Sequence, residues 1–213
     1  MKSFSWSLDI STTNVGMALW DGNGKLVELK HLQLKVDRSI PEENRYLHKA
    51  KMFKNYIKEY KVKIEKEFGA KIVNIFVEAP LVHTSINRNT TAKLLGFNGI
   101  TCYILCEVFN VEPFLISVYD SRKIFFPELV NRKKVKGKIK ETLSFPKNID
   151  KKEYIWKKVN SVFKNIEWSY DNKGKLKKQN FDMSDSVVVG VCGLIVANII
   201  PEKNWVEYIS KLT

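Results

Sequence analysis

Residues Trp6 to Asp21 read WSLDISTTNVGMALWD. Apolar Trp6 and Leu8 alternate with Ser5, Ser7 and Asp9, a period of two that suits a half-buried strand. Ser11, Thr12, Thr13 and Asn14 are turn formers whose short side chains can bond their own backbone. Gly16 to Trp20 then runs apolar as a second strand. Asp21-Gly22-Asn23-Gly24 turns the chain into a third strand within Lys25–Lys35. Three consecutive strands joined by hairpins are therefore predicted, with Asp9 near the end of the first. A carboxylate at the end of an inner strand is costly unless something pairs with it. The rest of the chain bears on what Asp9 is for.

At 213 residues the chain can bury one good core, and a hydrophobic content of 44% argues for a folded protein. One domain spanning 1–213 is expected, with a basic insertion at about 131–180. The net charge is +13, and its distribution says more than its size. Between Asn131 and Lys178 there are 16 Lys and Arg against 5 Asp and Glu, whereas the remainder carries 20 against 18. Nearly all the excess lies in one segment, the footprint expected for a polyanion such as nucleic acid. Phe145, Tyr154, Trp156, Phe163, Trp168 and Tyr170 are threaded through it, available for binding or for packing. Cys102, Cys106 and Cys192 are too few and too odd in number for a disulfide framework, which points to a reducing compartment, the cytoplasm. Cys102 and Cys106, one helical turn apart in an apolar run, read as core thiols. The apolar run Val187–Ile200 is short and interrupted for a membrane span, so no membrane role is expected.

Taken in order, Pro41–Phe68 has apolar residues near helical spacing, an acidic start at Glu42-Glu43 and a stop at Gly69. His31 and His48 receive no role. Ile72–Pro80 (IVNIFVEAP) suits a strand buried on both faces, and it ends at a second carboxylate, Glu78. A polar loop with His83 and Arg88 follows. The next helix runs from about Thr90 to Phe109, and its Gly96 and Gly99 are tolerable if another backbone approaches. Val111–Val118 reads as a last strand, and a short helix starts at Tyr119. The basic segment is assigned helices around Lys138–Leu143 and Lys151–Phe163. No secure fold is assigned to Ser144–Gln179, apart from a loop tip at Asp171–Gly174.

The closing helix, from Phe181 onward, is apolar almost all round and therefore buried. Its entrance carries Asp182 and Asp185, three apart and so on one helical face. One acid would suffice as a cap. Asp9, Glu78, Asp182 and Asp185 together form a set of hard oxygen donors suited to Mg²⁺, with Mn²⁺ as a substitute. Such ions can drive phosphodiester hydrolysis by a two-metal arrangement. The basic segment would hold the backbone that the acidic site cuts.

At this point the chain resembles the RuvC-type Holliday junction resolvases of the RNase H-like (retroviral integrase) superfamily. The resemblance rests on LDISTTNVG around Asp9, FVEAP around Glu78, KLLGFNGITCYIL, SVYDSRK followed by VKGKIKE, and DMSDSVVVG. It covers roughly residues 4–140 and 181–200. It implies an α/β protein of RNase H-like fold, a mixed five-stranded sheet flanked by helices. It also implies a metal-dependent endonuclease that resolves four-way junctions or related branched DNA by paired nicks, as a homodimer joined through the glycine-containing helix. Asp9, Glu78, Asp182 and Asp185 would be the catalytic, metal-binding acids. The DNA-contact candidates are Thr12, Thr13, Asn14, His83, Arg88, Arg122, Lys123, Lys134, Lys136, Lys138 and Lys140. The sequence has Ile10-Ser11-Thr12-Thr13 where bacterial relatives have a Pro-Gly turn, lacks an aromatic after Glu78, and is longer over 141–180. These departures point to a phage- or virus-like branch that acts with DNA in the host cytoplasm. Two alternatives are a non-catalytic branched-DNA-binding module and an actin/sugar-kinase-like nucleotide binder, the latter from Asp9-Ile10-Ser11-Thr12-Thr13 as a phosphate loop.

Overall fold

A computed structural model describes residues 1–80, 88–135 and 138–212. Three strands come first: β1 (Lys2–Ile10), β2 (Asn14–Trp20) and β3 (Leu26–Gln33). Helix α1 (Glu42–Phe68), strand β4 (Ala70–Glu78), helix α2 (Arg88–Phe109), strand β5 (Phe114–Ile116) and helix α3 (Val118–Phe125) follow. Strands β6 (Val130–Val135) and β7 (Lys138–Leu143) and helices α4 (Lys151–Val162), α5 (Gln179–Val196) and α6 (Trp205–Ser210) complete the order. The main sheet runs β3-β2-β1-β4-β5. The first three strands pair antiparallel, and β1, β4 and β5 pair parallel. This is the mixed five-stranded sheet that the sequence predicts, with β1 at its centre.

Local chemistry sets the boundaries. Ser11 Oγ accepts from the Asn14 amide at 2.9 Å and from that of Thr13 at 3.3 Å, closing the β1–β2 turn. Asp21 Oδ1 accepts from the amides of Asn23 and Lys25, both at 2.9 Å, in the next turn. Pro41 precedes α1, and Gly69 ends it with φ of 59°, the left-handed conformation glycine adopts most readily.

The sheet separates two cores. Trp6, Leu8 and Ile10 of β1 pack with α1 and α2. On the opposite face, Ala18, Trp20 and Phe76 pack with α4, α5 and α6. β1 is therefore buried on both faces rather than one, and Ser5 and Ser7 are buried. Their small size is the reason. Ser7 Oγ accepts from Trp20 Nε1 at 2.9 Å and donates to the Ser186 carbonyl at 2.8 Å, tying β1 to α5. A Cβ on Gly190 would lie 2.5 Å from Ser7 Oγ, and one on Gly193 2.2 Å from the Phe76 ring. Helix α5 thus sits almost in backbone contact with the strands below it.

The basic segment differs from its prediction. Lys138–Leu143 is a strand, paired antiparallel with β6, not a helix. Six residues make a poor isolated helix, whereas the ladder gains the β-branched Val130, Ile139 and Thr142 and an Arg132–Glu141 cross-strand ion pair of 2.9 Å. Ser144–Gln179 is also more ordered than its sequence predicts. Asp150 caps α4 by accepting from the Lys152 and Glu153 amides, and Ile155, Val159 and Phe163 enter the core beside α5. Most of the segment's aromatics pack rather than present themselves. Phe145 meets Tyr154 edge-on, Trp156 meets Trp168, and Phe163 meets Trp20.

Helix α2 buries Phe97, Ile104 and Leu105 but leaves Leu95, Ile100 and Tyr103 exposed, Tyr103 by 68%. Cys106 is exposed on this helix and Cys102 half-buried, so neither is the fully buried core thiol expected from the apolar run. That run supplies two faces, and only one meets the sheet. Among the described residues, Thr91–Phe109, with mean hydropathy 1.3, is the stretch long and apolar enough by length and composition to cross a membrane. Val187–Ile200 instead supplies the buried body of α5.

Candidate active site

Four carboxylates meet at one end of the sheet. β1 and β4 run parallel with Leu8 opposite Val77, so Asp9 and Glu78 leave the sheet side by side at the carboxyl ends of their strands. Alternation along each strand puts both on the face that carries Ser7 and Phe76, toward α5. Asn98 Nδ2, from α2, donates to the Glu78 carbonyl at 3.4 Å, and the Ala79 amide donates to the Ile116 carbonyl at 2.8 Å, steadying the end of β4.

Gly16 brings the other two acids in. It lies directly opposite Asp9. A Cβ there would fall 1.9 Å from the Asp182 carbonyl oxygen, so the first turn of α5 occupies the space that any other side chain would fill. Asp182 and Asp185 lie in the first turns of this helix, and the Ser7–Ser186 bond fixes its height above β1.

The charges sense one another. Burial, then Glu78, Asp185 and Asp182, pushes the Asp9 carboxyl well above the usual range, against the opposing pull of Lys152. Burial and Asp185 push Glu78 to about 7, against Arg122 and Lys152. Burial raises Asp185 to about 6; Arg122 and Lys152 oppose the rise and Asp182 adds to it. Asp182 itself lies between two bases. Lys152 Nζ is 3.5 Å from its Oδ1, and His31 Nε2 is 3.4 Å from its Oδ2.

The donor set consists of carboxylate oxygens, the ligands a hard divalent cation takes. Among the described residues, no group of three or more His, Cys, Asp and Glu side chains is already arranged to hold a metal ion. Burial is the first cause of the raised proton affinity of Asp9, Glu78 and Asp185, and repulsion among the carboxylates adds to it. By donor chemistry the residues present fit Mg²⁺ or Mn²⁺.

No protein-family model matches the chain, and no curated protein does. Solved structures do. RuvC of Thermus thermophilus in complex with a Holliday junction substrate is 9% identical, with a TM-score of 0.55, covering 92% of this chain and 95% of that one. A second Thermus thermophilus RuvC structure is 10% identical, with a TM-score of 0.52 over 92% and 95% of the two chains. The fold is RNase H-like. A Thermus thermophilus ROK hexokinase also matches over 60% of this chain and 39% of its own, with 17% identity and a TM-score of 0.33.

Within this RNase H-like frame, the residues proposed from sequence for DNA contact fall in several places. Thr12 and Thr13 lie in the turn after β1, beside Asp9, and Asn14 opens β2. Arg122, on α3, faces Glu78 and Asp185, and its guanidinium lies 6.0 Å over the Phe145 ring. Lys123 is committed elsewhere, to an ion pair with Glu141. Lys134, Lys138 and Lys140 stand exposed on the two-stranded ribbon, away from the acids' own elements. Arg88 opens α2, and His83 and Lys136 lie outside the described residues. Two further residues join the site without having been singled out from the sequence. Lys152 is a second residue of the Asp150-capped helix and was one lysine among sixteen basic residues. His31 is brought in by strand register alone, because Gly16 pairs with both Asp9 and His31.

Proposed function

We propose that this chain is a metal-dependent, structure-selective endodeoxyribonuclease acting on four-way junctions or related branched DNA. The observation that carries the reading is the convergence of Asp9, Glu78, Asp182 and Asp185 from β1, β4 and α5, three of them with raised proton affinity. It gains support from the likeness in fold to a RuvC bound to a Holliday junction. Asp9, Glu78, Asp182 and Asp185 would hold Mg²⁺ or Mn²⁺. When bound, such ions supply activation of a water and stabilisation of charge on the leaving oxygen of a phosphodiester.

The chain's own residues do the rest. Lys152 and Arg122 offset the repulsion among the acids and present positive charge where a phosphate must approach. The ribbon tracks the DNA backbone. Lys133 and Lys140 are cross-strand partners, and alternation puts Lys138 on their face. Like charges directly opposite weaken a ladder, so this arrangement makes sense against phosphates. On the reverse face, Glu141 pairs with both Lys123 and Arg132 and anchors the ribbon to α3. Paired nicks need two sites. We assign the second to another copy of the chain, docked on the exposed α2 stripe around Leu95, Gly96, Gly99, Ile100 and Tyr103. There nothing lies within 4 Å of a Cβ built on either glycine, so a partner helix can come close.

The test is cleavage of a synthetic four-way junction beside a linear duplex of matching sequence, with Mg²⁺, Mn²⁺ or EDTA. Symmetric nicks in the junction are expected with metal, and none with EDTA. Asp9→Asn and Glu78→Gln should abolish cutting yet retain DNA binding. A variant of either kind that cuts as fast as wild type ends the proposal.

A further inference from the structure

His31 lies in β3 at the third place of a row that crosses the sheet. Asp9 pairs with Gly16, and Gly16 pairs with His31. Pairing keeps facing residues on one side of a sheet, so the imidazole shares the α5 face with Asp9. Gly16 leaves the middle of the row empty, and the backbone of Asp182 fills it. The His31 side chain is 13% exposed. Its Nε2 is fully buried and makes no hydrogen bond among the described residues, yet it stands 3.4 Å from Asp182 Oδ2. Buried polar atoms in working proteins find partners, and an orphan calls for an explanation.

The two bases flanking Asp182 differ in kind. Lys152 is 57% exposed, on a flexible stem, and acts on Asp9, Glu78 and Asp185 as well. It serves the cluster as a whole. His31 is a short, rigid side chain on a paired strand, and the acid it reaches is Asp182. A carboxylate that is to bind a cation through one oxygen needs its other oxygen held, and such supporting contacts set the orientation of the ligand.

We propose that His31 is a positioning residue of the acidic site, whose Nε2–H holds Oδ2 of Asp182 so that Oδ1 turns toward a divalent cation. The contact closes by a small rotation of the Asp182 side chain, and Lys152 releases Oδ1 as the cation takes its place. This inference rests on the metal-dependent reading above.

Calorimetric titration of the DNA-free protein with Mn²⁺ tests it. Wild type, His31→Ala, His31→Gln, Asp182→Asn and the His31→Ala/Asp182→Asn double variant are compared, with metal-free melting curves as a check on folding. His31→Ala should weaken Mn²⁺ binding about tenfold, the low end of what loss of a supporting contact costs. His31→Gln returns an N–H donor of similar reach and should recover most of that loss. In the Asp182→Asn background, His31→Ala should cost nothing more, because residues acting through one contact are not additive. An unchanged affinity in His31→Ala, or an equal loss in both backgrounds, overturns the inference alone. A folded wild type that binds no Mn²⁺ overturns the metal-dependent reading and this inference with it. A measurement on wild type needs no variant: the ¹⁵N signal of His31 should shift on Mg²⁺ addition while that of His48, on α1, stays in place. A stationary His31 signal in protein that binds Mg²⁺ also overturns the inference.

Discussion

Replacing Gly16 by Ala adds one methyl group at the point where the sheet and α5 are closest. That carbon would lie 1.9 Å from the Asp182 carbonyl oxygen, 2.3 Å from its carbonyl carbon and 2.9 Å from the Met183 nitrogen. All three are backbone atoms, so no rotamer change relieves the overlap. Real contacts of this kind essentially never fall under 3.0 Å, so the start of α5 must retreat by roughly 1 Å. Overpacking on this scale costs about 1–3 kcal/mol, and in a chain this long each kcal/mol lowers the melting temperature by roughly 2–4 °C. The chemical cost is larger. Asp182 and Asp185 ride on the displaced turn, and a misplacement of about 1 Å at a reacting site costs on the order of 100-fold in rate. Gly16→Ala should therefore fold, melt a few degrees lower, and cut junctions about 100-fold more slowly at saturating metal and DNA. Single-turnover cleavage beside a thermal melt is the assay. A variant that melts lower but cuts at the wild-type rate would refute the argument that this glycine sets the position of the α5 acids.

Three further outcomes are expected. In EDTA the folded protein binds more protons than the unfolded chain between about pH 4 and 7, because Asp9, Glu78 and Asp185 are held above their usual range. Stability from these groups is therefore lost as pH rises through that window. The melting temperature should be higher at pH 5.5 than at 7.5 without metal, and Asp9→Asn should raise it at pH 7.5; a flat profile in both proteins counts against the cluster. Substituting Lys133, Lys138 and Lys140 together with Ala should lower the slope of log affinity for junction DNA against log salt by about 2–3. An unchanged slope in a binding assay without divalent metal removes the ribbon from the DNA path. Tyr103→Asp should convert a dimer to monomers in sedimentation, without lowering the melting temperature of the monomer; a dimer that survives the charge is built on another surface.

The strands and α1 were legible because their signals are local. Alternation, Asx-type turns at Ser11 and Asp21, and the Pro41 and Gly69 boundaries all act within a few residues. The four acids stand out in the sequence because each lies at or near an element's end, where a charge is out of place beside an apolar run. Other features depend on what lies across space. β1 reads as half-buried since Ser5 and Ser7 look like a wet face; only the approach of α5 turns them into a dry one. The β6–β7 ribbon was misread because lysine-rich hexapeptides carry little periodicity, and the pairing of Arg132 with Glu141 is visible only across strands. His31 and Lys152 could not be distinguished from other bases by spacing. Register and the docking of α4 brought them to Asp182.

The hydrogen bond from Ser7 to the Ser186 carbonyl joins residues 179 positions apart. The acids are divided in the same way, one pair borne early in the chain and the other near its far end. During synthesis, then, Asp9 and Glu78 emerge from the ribosome long before their counterparts exist, and a nascent chain holds all four only once the first turns of α5 have been made. A product truncated between β7 and α5 would carry the lysine ribbon but lack Asp182 and Asp185. Chain order alone makes synthesis of α5 the step that brings the four acids together.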